Sequence, residues 1–491
     1  MKLYLKGHNY RYATEQMLLT LFPGERPEYP TSRTGRGENS LVLTLSRAKS
    51  WATAHALLTY EGKTYSHFSR APDPPEHTDR LERDRVLQRI LKTAFYRAGT
   101  EALGREPPWG ALTGVRPVKI PTKALSQGFT PRQADGMLRD LYRVSEERRR
   151  LALDCARATL AVQDTLEERE VSLYVGIPFC PSRCAYCSFI SADAGKSLSL
   201  LEPYLDALVQ EVRAAGEVLS RAGRRVRSVY FGGGTPTTLS AQQLHRLLGE
   251  LEDHIDLTWC TEYTVEAGRP DTITAEKLSV LKAHGCDRVS VNPQTMSDTV
   301  LQAIGRAHTA GDFLAAWDLV RQAGFGVVNM DLIAGLPADS EAGFRASLDQ
   351  VLSLEPENIT VHTLALKKGS RLMEQGGGLP TAEEVSHMLD YAWDALRQAG
   401  YAPYSLYRQK YMSGGFENVG WCRPGTESLY NICMMEELHT ILSLGSGGVT
   451  KLIDRQAGSL TRLSNPKYPK EYISQIETII RQKEEIPWPI N

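Results

Sequence analysis

The chain has 491 residues, 42% hydrophobic and 23% charged, globular values that exclude a wholly disordered chain and require two or three domains. No uninterrupted apolar run approaches the ~18 residues of a membrane helix, and the opening MKLYLKGHNYRYATEQ lacks the apolar core of a signal peptide, so a cytoplasmic protein is expected. Net charge is −1 but unevenly spread, with 26 Lys and Arg against 16 Asp and Glu in residues 1–150 and 31 against 42 thereafter, as for a basic front unit joined to an acidic body.

Residues 1–165 read as a basic α+β domain. Strand-like pieces fall at 2–5, 41–45 and 56–60, and helical patterns at 79–96 and 131–166, with the turn-rich PPWGALTGVRP at 107–117 between them. Arg148, Arg149 and Arg150 follow one another in the last helical pattern. No aromatic or glycine motif of an RNA module accompanies them, so a solvated helix face is expected, with an anion or nucleic-acid contact as the sharper alternative.

From residue 171 short apolar runs recur, each followed by a helical pattern: VSLYVGI (171–177), RSVYF (227–231), EYTVE (262–266), DRVSVN (287–292), GVVNMDLI (326–333) and NITVHTLAL (358–366). Successive starts lie 56, 35, 25, 39 and 32 residues apart, the rhythm of βα units on a parallel sheet. Six units fall short of the eight that close a full barrel. The expected fold is α/β, a partial (β/α)6 TIM-like barrel over 166–366, with its site at the C-terminal ends of the strands. Residues 367–491 form a C-terminal extension, expected to cover the substrate, with a glycine turn at Gly376–Gly378, a helix near 382–399, the aromatic YAPYSLYRQKYMSGGFENVGW, LGSGGVTK at 444–451 and a last helix closed by PWP.

Of eight cysteines, Cys155, Cys260, Cys286, Cys422 and Cys433 are scattered and expected mostly as small buried side chains. Cys180, Cys184 and Cys187 instead fall in IPFCPSRCAYCSF, directly after the first barrel strand. Three thiolates at C-x3-C-x2-C can hold three corners of one cluster, whereas a zinc site usually takes four protein ligands and no second Cys or His pair lies nearby. A [4Fe–4S] cluster so held keeps one iron without a protein ligand.

With Tyr186 before the last cysteine, this motif resembles that of the radical S-adenosylmethionine superfamily. LYVGIPFC, YFGGGTPT, TVEAGRP, RVSVNPQT, IGRAH and NMDLIAGLP are similar in order to the branch of oxygen-independent coproporphyrinogen III oxidase. WGALTGVRP and LYRQKYMSGGFENVG resemble the HemZ-type coproporphyrinogen dehydrogenases within it. The resemblance implies S-adenosylmethionine chelating the open iron and cleaved by an electron to a 5′-deoxyadenosyl radical. It implies cofactor contacts from Tyr174, Phe189, Gly233, Gly234, Thr235, Glu266, Gln294, Arg306, Asp331, Ala365 and Val449. Asp331 in an otherwise apolar strand and Glu266 at a strand end have little structural excuse, whereas Arg306 also fits a surface residue at a helix start.

The implied activity is oxidative decarboxylation of two propionates of coproporphyrinogen III to give protoporphyrinogen IX in heme biosynthesis. The substrate is a tetra-anion, so Arg269, Arg408 and Lys410 are candidate substrate contacts; flavodoxin or ferredoxin is the implied electron donor. The sequence departs from the oxidase pattern at Phe189, where a fourth cysteine is usual, at Gly176 in place of a histidine, and in having only 42 residues after Val449. Phe189 matches the heme-chaperone relatives, so a HemW-like heme chaperone stands as the alternative, with His308, His362 or His439 as the ligand. A radical methylase or heme-opening enzyme is a third reading.

Overall fold

The computed structural model describes residues 1–30, 39–75, 77–187, 192–193, 197–366, 370–372, 378–409, 415–455 and 457–488. Phe189, Lys410, Gly376 and Gly377 lie outside the described residues. The chain divides into two compact units, Met1–Ala156 with Arg408–Phe416, and Arg157–Tyr407 with Glu417–Asn491.

The first unit is built on a sheet of β1 (Lys2–Lys6), β2 (Ser40–Arg47), β3 (Trp51–Tyr60) and β4 (Lys63–Pro72), in that order. β1 runs parallel to β2, and β2, β3 and β4 are antiparallel. Alternation places Leu41, Leu43, Leu45, Ala52, Ala54, Ala56 and Leu58 in one core with helices Arg11–Leu21 and Arg80–Leu103. β4 was not among the expected strands, because its polar sequence leaves little apolar pattern to detect. The turn that starts it, Glu61–Gly62, takes positive φ at both residues (47° and 77°), the backbone of a tight hairpin.

The helical pattern at 131–166 divides into two helices, Pro131–Tyr142 and Glu146–Gln163. Arg143 closes the first in the left-handed conformation, at φ 61°. That break turns Arg148 inward, where it is buried, while Arg149 pairs with Asp135 at 2.7 Å. The expected solvated arginine face is therefore reduced to Arg150.

The second unit carries the six expected parallel strands: β5 (Glu170–Ile177), β8 (Arg225–Gly233), β9 (Glu262–Glu266), β10 (Arg288–Ser290), β11 (Val327–Ala334) and β12 (Asn358–Thr363). They pair consecutively, β5-β8-β9-β10-β11-β12. Phe179–Cys180 (β6) and Ala192–Asp193 (β7) form a separate short parallel pair. The extension continues the large sheet at both edges. β14 (Glu417–Cys422) pairs with β12 and borders β13 (Ala402–Arg408), and β15 (Ile441–Leu444) lies parallel to β5 before β16 (Val449–Asp454) and β17 (Ser459–Ser464). No pairing among the described residues closes the barrel.

Within the six strands Val175, Phe231, Val265, Val289, Met330 and Val361 are fully buried, while the alternate positions Tyr174, Glu266, Asn329, Asp331, Thr360 and His362 are half-buried. A period-two strand thus presents one wholly apolar face and one polar face. Among the described residues no helix is long and apolar enough to cross a membrane.

Candidate functional site

The cysteine loop leaves β5 and is bound at once by the chain following β8. Gly234 N–H donates to Ile177 O and Thr235 N–H to Phe179 O, each at 2.7 Å. A Cβ on Gly234 would fall 2.5 Å from Phe179 O, so only glycine allows this approach. Thr235 Oγ1 lies 3.5 Å from Cys180 Sγ. Farther along the loop, Ala185 N–H donates to Ile304 O at 2.8 Å and Cys187 N–H to Cys184 O at 3.2 Å.

Two buried guanidinium groups brace this loop. Arg269 forms a two-pronged pair with Asp271, both contacts at 2.9 Å, and reaches Ser182 Oγ at 3.1 Å and Cys184 Sγ at 4.0 Å. Arg306 donates to Asn292 O at 2.8 Å, Gly268 O at 3.2 Å and the Tyr186 hydroxyl at 3.3 Å. Arg306 is therefore no surface helix-start residue; burial works against its charge, but Tyr186 and Cys184 outweigh it and hold its pKa above the ordinary value.

None of the eight cysteines forms a disulfide; Cys155, Cys286, Cys422 and Cys433 are buried, as expected, and Cys260 is half-buried. Among the described residues no three His, Cys, Asp or Glu side chains converge as a single-ion site requires. A [4Fe–4S] cluster instead takes its thiolates on separate irons. Three cysteines on one braced loop beside a glycine cradle fit that group.

The polar row of the sheet lies at the same strand ends. Tyr230 on β8 donates its hydroxyl to Glu266 Oε1 at 2.5 Å and stacks on Tyr430, ring centroids 4.4 Å apart. Tyr174 on β5 lies 6.4 Å from Tyr230 and 6.3 Å from Tyr430. Glu262 fixes Tyr430 by accepting from Ser428 Oγ and from the N–H groups of Leu429 and Tyr430 at the start of helix Leu429–Glu436. Burial, with a smaller push from Asp331, raises Glu266 to about 7 against the Tyr230 bond.

Asp331 accepts from Asn329 Nδ2 at 2.8 Å and lies 3.6 Å from His362 Nε2. Burial would raise its pKa, but His362, Asn329 and Thr360 together hold it below the ordinary value. Gln294, just beyond β10, is a non-glycine residue at φ 68°, its N–H donating to Asp331 O at 2.9 Å. Its buried Oε1 meets no hydrogen-bond partner, a combination that marks functional positions.

Thus Gly233, Gly234, Thr235, Glu266 and Gln294 stand at or just beyond strand ends, Tyr174 and Asp331 within β5 and β11 on their polar face, and Arg306 against the cysteine loop, all in one unit. Ala365 follows β12, and Val449 begins β16 beside Ser443, whose Oγ bonds Val449 O at 2.9 Å. Of the proposed substrate cations, Arg269 is committed to the cysteine loop. Arg408 clusters with the first unit, donating to Leu112 O and to Gly415 O over the Trp109 ring. His439 bonds Ser172 Oγ at 2.7 Å, and burial lowers it to about 3; His308 is buried and lowered to about 4 by burial and the charges of Arg306 and Arg269. Tyr230, Tyr430 and Glu262 were missed at the sequence level, since only the pairing of β8 with β9 and the packing of a distant helix bring them to Glu266.

Residues 174–351 match the Radical SAM superfamily. The chain is 43% identical over 384 residues, 76% of its length and 76% of the relative's, to the oxygen-independent coproporphyrinogen-III oxidase-like protein HemZ of Bacillus subtilis. It is 30% identical to the heme chaperone HemW of Haemophilus influenzae, over 62% of the chain and 76% of that protein. Among solved structures, the coproporphyrinogen III oxidase HemN of Escherichia coli, described as a radical SAM enzyme, superposes with a TM-score of 0.52 at 26% identity, over 66% of this chain and 73% of that one. The chain therefore belongs to the radical S-adenosylmethionine superfamily, whose enzymes use a [4Fe–4S] cluster and S-adenosylmethionine, and within it to the coproporphyrinogen-III oxidase-like branch that includes HemZ.

Proposed function

We propose that this protein is a cytoplasmic oxidoreductase that converts coproporphyrinogen III to protoporphyrinogen IX without oxygen, in heme biosynthesis. The observation that carries the reading is the braced cysteine loop set against a polar barrel face, in a chain 43% identical to HemZ. Cys180, Cys184 and Cys187 would hold the cluster. Tyr174, Gly233, Gly234, Thr235, Glu266, Gln294, Arg306, Asp331, Ala365 and Val449 would line S-adenosylmethionine. When bound, these groups supply a 5′-deoxyadenosyl radical able to take a hydrogen atom from a propionate side chain.

The chain's own contribution is placement and exclusion. Glu266 and Asp331 offer oxygens to the ammonium and hydroxyl donors of the cofactor, and Gln294 Oε1 offers another. Gly234 admits backbone where a side chain would block it, and the Tyr174, Tyr230 and Tyr430 rings wall the interior against water. Converting a propionate to a vinyl group removes one hydrogen atom, carbon dioxide and one electron, and that electron would pass to an external one-electron acceptor. Flavodoxin or ferredoxin is the proposed donor for cluster reduction.

The test is anaerobic turnover of the reconstituted protein with dithionite, S-adenosylmethionine and coproporphyrinogen III, read by mass spectrometry. Protoporphyrinogen with matching 5′-deoxyadenosine is expected, and Cys184→Ala should abolish both along with the cluster's visible absorption. Deoxyadenosine with untouched porphyrinogen would refute the substrate. Stable heme loading without turnover would favour the chaperone reading, to which the HemW similarity points.

A further inference from the structure

His362 is the last inward-facing residue of β12 and shares the interior with Asp331 and Glu266. Its Nε2 lies 3.6 Å from Asp331 Oδ2 and its Nδ1 lies 3.5 Å from the Tyr407 hydroxyl, both beyond the ~3.2 Å of a close N–H···O bond, and the Asn418 side chain is a further hydrogen-bond partner of the ring. The His362 and Asp331 side chains keep 27% and 18% of their surface exposed, so a ligand can reach the ring. Asp331 already accepts a 2.8 Å bond from Asn329 on its other oxygen, which fixes the carboxylate behind the imidazole.

Charge completes the argument. In the C-terminal half of this inner row, among the described residues, His362 is the only side chain able to carry positive charge. Arg288, at the opposite end of the row, is engaged by Glu262 at 3.7 Å and Thr426 O at 3.0 Å. Burial favours neutral His362, but Asp331, Asn418 and Glu266 outweigh it and raise its pKa above the ordinary value. Glu266 and Asp331 would repel an anionic arm entering the barrel; an imidazolium beside them would receive it, and in a partly desolvated interior such a charge-assisted bond is strong.

We propose that His362, positioned by Asp331, is a substrate-binding residue that receives one propionate carboxylate of the tetrapyrrole. This rests on the function proposed above and adds a point of recognition to it. The consequence is directional: the arm held at His362 is withheld from reaction or presented to it, so this residue sets which propionates react.

The test uses anaerobic, cluster-loaded protein and coproporphyrin III, the stable oxidised form of the substrate, with binding followed by its fluorescence. His362→Gln should weaken the tetra-acid about tenfold to a hundredfold, the worth of one charge-assisted hydrogen bond. It should leave binding of the tetramethyl ester and cluster absorption unchanged, and His362→Lys should recover part of the lost affinity. Under turnover the loss should fall on KM more than on uncoupled cleavage of S-adenosylmethionine. Equal affinity of wild type and His362→Gln overturns the proposal, as does equal weakening of acid and ester, or ferric heme ligated by the imidazole. Wild type that binds neither porphyrin overturns both this proposal and the function it rests on. If His362→Gln loses the cluster, the Lys variant decides, and failure to bind the acid with cluster intact also counts against the proposal.

Discussion

Glu266 makes the protein's stability depend on pH in a direction opposite to that of a salt-bridged carboxylate. Burial raises its folded pKa to about 7 from 4.5. Between those values the folded chain holds a proton that the unfolded chain has released, so stability from this group is present at low pH and declines as pH rises through the window. The loss by pH 8 is on the order of 3 kcal/mol. Glu266→Gln should flatten urea-unfolding stability between pH 5 and pH 8, and an unchanged slope would mean the carboxylate is solvated. The chemistry-bearing residues most legible from sequence were those in short runs beside a strand: Cys180, Cys184, Cys187, Gly234 and Glu266. Arg269 was legible as a cation but not as a brace, because its partners Ser182 and Cys184 lie 87 and 85 residues away in sequence. His362 looked like a lone histidine until β11 and β12 paired to bring Asp331 beside it.

At the scale of elements, the C-terminal helices are tied to the barrel through a buried carboxylate. Glu211, on helix Leu201–Arg221 and fully buried, meets Lys483 at 2.6 Å, Asn465 Nδ2 at 2.8 Å, Gly445 N–H at 2.7 Å and the Tyr472 hydroxyl. Removing one partner leaves a charge in a low-dielectric interior, so Lys483→Ala should cost about 3–5 kcal/mol. Adding Glu211→Gln should recover much of that loss in a double-mutant cycle; additive effects would show that the two charges do not interact. The six barrel strands were legible because each is an apolar run at a regular spacing. The edge strands β13 to β17 were not, since a short strand is recognisable only from the neighbour it pairs with. The break at Arg143 was equally hidden, for no glycine or proline announces it.

At the scale of the whole molecule, two compact units of unlike charge share one chain, and only one of them carries the cysteine loop. Calorimetry should resolve two transitions. Loading with cluster and S-adenosylmethionine should raise only the transition of the unit that binds them, by about 2.7 kcal/mol when ligand is a hundredfold above its Kd. A single transition that moves as a whole would show that the units unfold together. The charge asymmetry between residues 1–150 and the remainder was legible from the sequence, whereas the grouping of Arg408–Phe416 with the first unit was not, because no local pattern marks a segment that leaves one core for another.

Gln294 carries two costs at once, a left-handed backbone and a buried oxygen without a partner. Glycine would relieve both, so Gln294→Gly should be more stable by about 1 kcal/mol after the greater freedom of its unfolded chain is counted, yet bind S-adenosylmethionine less tightly. Thermal unfolding and cofactor titration of the one variant read both effects, and a less stable variant would refute the strain. Selection for heat resistance and selection for turnover should then part company at this position, the first returning glycine and the second glutamine.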